Sequence, residues 1–248
     1  MKASGNNKSV TVSRLMRDAF YTYGVPAHLR MDKGVENRKA AILMELLRGS
    51  EVKSAVIVGS STSNQKIERQ WKDVRYFVIQ WYRGLFEQFR MFQFNNGMQL
   101  LDITISTNKY ILQYLFLKRI NESLEQWMEI WNRHKLSLPY GQQYMDPHTS
   151  KIKRTIVPKQ LMDHAPINFG KYSTLYKLQS TYVQYCLFQH EDDEEDDNDE
   201  AFKLSIAQFE LSEEQFIRLQ QYEPLSLSNT AQECIERYYN CITDIYDL

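Results

Sequence analysis

Two long helical stripes constrain the fold more than any other feature of the sequence. From Asn64 to about Phe94, apolar residues recur at steps of three and four: Ile67, Trp71, Val74, Val78, Trp81, Leu85, Phe89 and Phe92. The spacing predicts one helix of many turns with a single buried face. A second such helix is expected from Thr107 to Lys135, with Tyr110, Tyr114, Leu117, Leu124, Trp127 and Trp131 along one side. Aromatic side chains at this spacing read as core packing rather than as a platform on which bases stack.

Ahead of the first stripe the pattern is different. Ser9 to Tyr23 is helical in spacing and is closed by Gly24 before Val25-Pro26. His28 to Met31 reads as a short strand that ends at the turn Asp32-Lys33-Gly34. Glu36 to Leu47 is again helical, and Ala55 to Val58 is a second short strand followed by Gly59 and a Ser/Thr/Asn loop. Alternation of helix and strand predicts α/β architecture with parallel strands. Beyond Pro139 the pattern is weaker, with one short helix at Pro158 to His164 and two more at 211–221 and 229–243.

Charge divides the chain. Residues 1–190 hold 27 Lys and Arg against 14 Asp and Glu, a net +13, whereas residues 191–248 hold 3 against 17, a net −14. Such a basic body suits a polyanion, and the acidic run Glu191 to Glu200 is expected to be solvated and to mark a boundary. That run either competes for the basic surface or serves as a solubilising linker. The three cysteines, Cys186, Cys234 and Cys241, have no zinc-thiolate spacing and do not suggest a disulfide framework. No apolar run approaches the length of a membrane span, and MKASGNNKSV is unlike a secretory leader, so an intracellular protein is expected.

Two carboxylates stand where chemistry often gathers. Asp32 follows the first strand and Glu68 lies near the start of the long helix, with 35 residues between them. The carboxyl ends of parallel strands are where open α/β sheets collect functional groups, and oxygen ligands there suit Mg²⁺. At about 100° per residue, Asn64, Glu68, Lys72 and Arg75 share one polar strip of the helix, beside the apolar stripe that should pack. Taken alone, Glu68 and Lys72 equally form an ordinary i,i+4 pair, and Asp32 an ordinary turn residue.

Local sequence adds to this. Val25-Pro26-Ala27-His28-Leu29-Arg30-Met31-Asp32-Lys33-Gly34-Val35-Glu36-Asn37 is followed by Gly59-Ser60-Ser61-Thr62-Ser63-Asn64-Gln65-Lys66-Ile67-Glu68-Arg69-Gln70-Trp71-Lys72-Asp73-Val74. Together these resemble the integrase core domain, the catalytic core of retroviral-type integrases and DDE transposases, and in particular its transposon-derived animal group. Trp131-Asn132-Arg133-His134 and Val157-Pro158-Lys159-Gln160-Leu161 fit as well. The resemblance implies a ribonuclease H-like core with a central mixed sheet flanked by helices. It makes Asp32 and Glu68 the second and third metal-binding carboxylates and places Asn64, Lys72 and Arg75 where such cores meet DNA. It implies Mg²⁺ or Mn²⁺ as the cofactor, with no small-molecule cofactor, and phosphodiester attack by water or a DNA 3′-hydroxyl as the reaction. DNA is the implied partner, the nucleus the implied compartment, and a homo-oligomer one possible assembly.

The departure lies at the start. The family's first catalytic Asp precedes the segment that Met1 begins, Lys2 to Lys8 match the end of the third strand, and Asp18 within the first helix is a poor substitute. The resulting expectation is a truncated integrase-core-like domain with a helical extension over 1–165, a connecting segment at 166–190, an acidic linker at 191–204 and a short helical tail at 205–248. With that Asp absent, the expectation is a nucleic-acid-binding protein of integrase-core type that is inactive in strand transfer; the alternatives are part of a metal-dependent polynucleotidyl transferase and a transposon-derived scaffold for protein interaction.

Overall fold

A computed structural model describes residues 1–48, 53–59, 65–137, 144–145, 151–153, 155–158 and 211–248. The expected helix at 158–164 beyond its first residue, the segment 166–190 and the acidic linker at 191–204 lie outside the described residues.

The N-terminal part has the expected alternation. Helix α1 (Ser9–Tyr23) ends at Gly24, whose φ of 86° is left-handed and whose N–H caps the carbonyl of Phe20. Strand β1 (Leu29–Met31) leads through a 3₁₀ turn at Val35–Asn37 into helix α2 (Arg38–Arg48), and strand β2 (Val56–Val58) follows. The strands run parallel, with Leu29 opposite Val56 and Met31 opposite Val58. Phe20, Leu43, Met44, Leu47 and Ala55 form a small core between the helices and this strand pair. Two side-chain bonds tie the layers: Lys39 N–H donates to Ser9 Oγ at 2.9 Å, and Arg48 Nη2 to the Val25 carbonyl at 2.9 Å.

The central mixed sheet expected from the resemblance is reduced among the described residues. β1 and β2 form one pair. Leu136–Ser137 (β3) pairs with Thr155–Ile156 (β6), and Tyr144–Met145 (β4) with Ile152–Lys153 (β5), both antiparallel. Residues 2–8 form no strand. Their backbone bonds instead to a helix side chain: Ala3 N–H donates to Asn121 Oδ1 at 2.7 Å, and Asn121 Nδ2 donates back to the Ala3 carbonyl at 3.2 Å.

The larger core is helical. Helix α3 (Gln65–Val74) continues through a π turn at Arg75–Ile79 into α4 (Gln80–Met91), and α5 (Ser106–Arg133) runs for 28 residues. The C-terminal helices α6 (Glu213–Gln220) and α7 (Ala231–Tyr246) each start at a capping box, Ser212 with Gln215 and Thr230 with Glu233.

These C-terminal helices do not form a separate tail. Leu219, Leu225, Cys234, Tyr238, Cys241 and Ile242 are fully buried in one cluster with Val74, Phe89, Ile111, Leu115 and Phe116. The Tyr238 ring stacks on Phe89, centroids 4.6 Å apart and planes within 9°. Polar clips run along α5: Leu225 N–H to the Leu115 carbonyl at 2.7 Å, Leu227 N–H to Glu122 Oε2 at 2.7 Å, and Tyr246 O–H to Asn108 Oδ1 at 2.7 Å. Each fully buried large apolar side chain contributes about 1.5–3 kcal/mol, which is why net negative charge does not keep this segment in solvent.

Candidate nucleic-acid interface

Asp32 is the first residue past β1, at the carboxyl edge of the parallel pair, and its side chain is exposed. Beside it the two strands end together, with Gly59 N–H donating to the Met31 carbonyl at 3.1 Å. Asn37, from the 3₁₀ turn, donates Nδ2–H to Asp32 Oδ1 at 2.6 Å, which fixes one carboxylate oxygen. The chain then crosses from this edge into α3, where Glu68 lies in the first turn and is exposed. A carboxylate in a first turn is favoured by the helix dipole.

Lys72 and Arg75 are exposed on the same helix, one at the end of α3 and the other opening the π turn. Among the described residues neither is held in an ion pair, whereas their neighbours Arg69 and Asp73 pair at 4.0 Å. Asn64 lies outside the described residues.

The apolar side of α3 departs from expectation. Ile67 and Trp71 are 43% and 50% exposed, and Val74 is the buried apolar residue of this segment. A helix of this type packs against a sheet, and the two short strands described here offer little surface to cover it. The apolar stripe therefore becomes core only downstream, at Val74, Val78, Leu85 and Phe89.

Nothing among the described residues completes a metal centre. No group of three His, Cys, Asp or Glu side chains converges there, and Asp32 already spends one oxygen on Asn37. Mg²⁺ demands near-octahedral oxygen ligation and two-ion chemistry demands shared carboxylates, so the residues present do not fit the cofactor the family uses. No catalytic step is assigned through it.

Comparison with protein families places this geometry. The family model for the integrase core domain matches residues 1–157, well over half the chain. The protein belongs to the integrase core domain family, whose α/β fold of ribonuclease H type accounts for the parallel strand pair and its flanking helices. No curated protein and no solved structure matches the chain. The match ends before α6 and α7, although these helices complete the main core.

Proposed function

We propose that this is a DNA-binding protein built on an integrase core, which meets the phosphate backbone through the exposed cationic face of α3 and the π turn. One observation carries the reading: Lys72 and Arg75 stand exposed and, among the described residues, free of ion pairs beside Glu68, on the helix that leaves the strand edge bearing Asp32. Cations already paired with protein carboxylates would have to break those pairs to reach phosphate; these two do not. The family's association with DNA integration and the net +13 of residues 1–190 point the same way. Asp32 and Glu68 are inherited metal-site positions that lack a third donor among the described residues, so the proposed role is binding rather than strand transfer. A DNA partner places the protein in the nucleus.

A labelled duplex titrated with the full chain at several salt concentrations tests this. Each phosphate neutralised contributes about −0.9 to the slope of log affinity against log salt, so a steep fall is expected. Absent or salt-insensitive binding overturns the proposal.

A second reading has its own observation. Ile67, Trp71, Tyr76 and Phe77 are all more than 40% exposed along one helical segment, as expected of a surface for protein association. A sedimentation profile of a monomer at every concentration, together with salt-dependent DNA binding, decides for the first reading.

A further inference from the structure

The helix carrying Lys72 and Arg75 does not keep one phase. Its buried positions run Val74, Val78, Tyr82, Leu85 and Phe89, whereas unbroken α-helical spacing would carry the stripe from Val78 to Trp81, which is exposed. The π turn at Arg75–Ile79 is the cause: its wider ring takes up about one extra residue. The same shift acts on the outer face. Arg75 and Arg83 are eight residues apart, which in an unbroken α-helix sets them about 80° apart around the axis. With one residue absorbed by the π turn they lie only about 20° apart, two turns or about 11 Å along the same row. Single π turns inside α-helices are frequent at functional sites.

Arg83 is exposed and, among the described residues, in no ion pair, so it extends the cationic row of Lys72 and Arg75 along α4. Glu68 and Glu87 bound this row, and Arg90 holds Glu87 at 3.2 Å. Aromatic rings alternate with the cations at i,i+4 spacing, which puts them side by side on the helix surface: Trp71 precedes Arg75, and Tyr76 follows Lys72. Trp71 is 50% exposed and Tyr76 69%. Phe77 stands perpendicular to Tyr76, ring centroids 5.0 Å apart, and supports that ring. Ile79, also exposed, is the aliphatic residue of the strip.

Cations alone suit any polyanion, and a duplex keeps its base faces stacked inside, where exposed rings cannot reach them. A single strand offers a phosphate and an open base face in every nucleotide, and so satisfies cations and rings together. We infer that the strip from Trp71 to Arg83 is a track for an unpaired nucleic-acid strand, with Lys72, Arg75 and Arg83 on phosphates and Trp71 and Tyr76 under bases. The track rests on the DNA-binding reading at Lys72 and Arg75, and adds to it Arg83, the two rings and the single-stranded form of the ligand. DNA and RNA strands share this chemistry.

The test is anisotropy titration of the full chain against labelled oligo(dA), oligo(A), an abasic deoxyribose-phosphate strand and a duplex, all of one length. Stacking of one base on one ring is worth about a fivefold change in affinity or more, so oligo(dA) should bind tighter than the abasic strand by at least that factor. Trp71→Ala and Tyr76→Ala should each weaken oligo(dA) by about fivefold or more and leave the abasic strand and the duplex unchanged. Trp71→Phe, which keeps a ring, should retain most of the affinity. Arg83→Ala should lower the steepness of the salt slope for the strand by about 0.7. Circular dichroism establishes that the variants fold. The tighter of oligo(dA) and oligo(A) identifies the kind of strand. Equal affinity for oligo(dA) and the abasic strand, oligo(dA) binding unchanged in both ring variants, or a slope unaffected by Arg83→Ala each overturn the inference, while duplex binding that depends on Lys72 and Arg75 leaves the DNA-binding reading standing. Binding to none of the probes overturns both. Ring-dependent strand binding without duplex binding keeps the track and confines the DNA-binding reading to single strands.

Discussion

The α/β part that carries Asp32 and the helical part that carries the cationic face are stabilised very differently. The first has a core cluster of five buried apolar residues beside two three-residue strands. The second gathers buried side chains from α3 to α5 and from α6 and α7, including stacked and edge-on aromatic pairs of Phe86, Phe89, Phe116 and Tyr238. Asp32 therefore rests on the thinner core, whereas Lys72 and Arg75 are anchored by the thicker one through Val74 and Val78. The durable element of this molecule is the helix presenting cations, and that contrast favours a role in binding.

The contrast can be broken most forcefully at Tyr238. Truncating a fully buried aromatic costs about 3–5 kcal/mol, so Tyr238→Ala should remove much of the stability of the helical part in a urea titration. A loss below about 1 kcal/mol would mean that the C-terminal helices are dispensable after all. Leu43→Ala should cost about 2–5 kcal/mol, but within the α/β part alone. Hydrogen exchange should then show protection lost from β1, β2 and α2 and retained in α5; simultaneous loss in both would make the molecule one cooperative unit.

A smaller effect comes from pH. Burial pushes the Cys241 thiol up to about 12 and raises Cys234 as well. A thiol whose folded pKa is raised supports the fold fully below the unfolded value and loses that support as pH rises toward the folded value. Between about pH 8 and pH 10 the helical part should lose about 1 kcal/mol to Cys241, and Cys241→Ala should flatten that slope in thermal melts. The smallest effect is expected at the exposed apolar strip: Trp71→Ser should change stability by less than about 0.5 kcal/mol, since half of the side chain is already in water. A larger loss would show that α3 is packed more tightly than its exposure implies.

Much of the fold was legible because periodicity reports burial directly. α1 spans the residues its spacing indicated, and α5 lies within one or two residues of expectation at either end. The π turn was not legible, because a shift of one residue among Val78, Ile79, Trp81 and Tyr82 leaves the apolar count unchanged. At the C-terminus the two helices stand where they were expected, with capping pairs Ser212-x-x-Gln215 and Thr230-x-x-Glu233 at their starts, but acidic composition hid their packing into the main core. Of the site, Asp32 at a strand edge and Glu68, Lys72 and Arg75 on one helix were readable from spacing and motif.

The central claim is that exposed cations, unpaired among the described residues, hold DNA from a well-anchored helix. Its most direct test compares the salt dependence of duplex binding for the full chain and for the double variant Lys72→Ala with Arg75→Ala. Removal of two phosphate contacts should lower the steepness of the log–log slope by about 1.8 and weaken binding similarly across duplex sequences. An unchanged slope, with binding otherwise intact, would contradict the account and move the DNA surface elsewhere on the molecule.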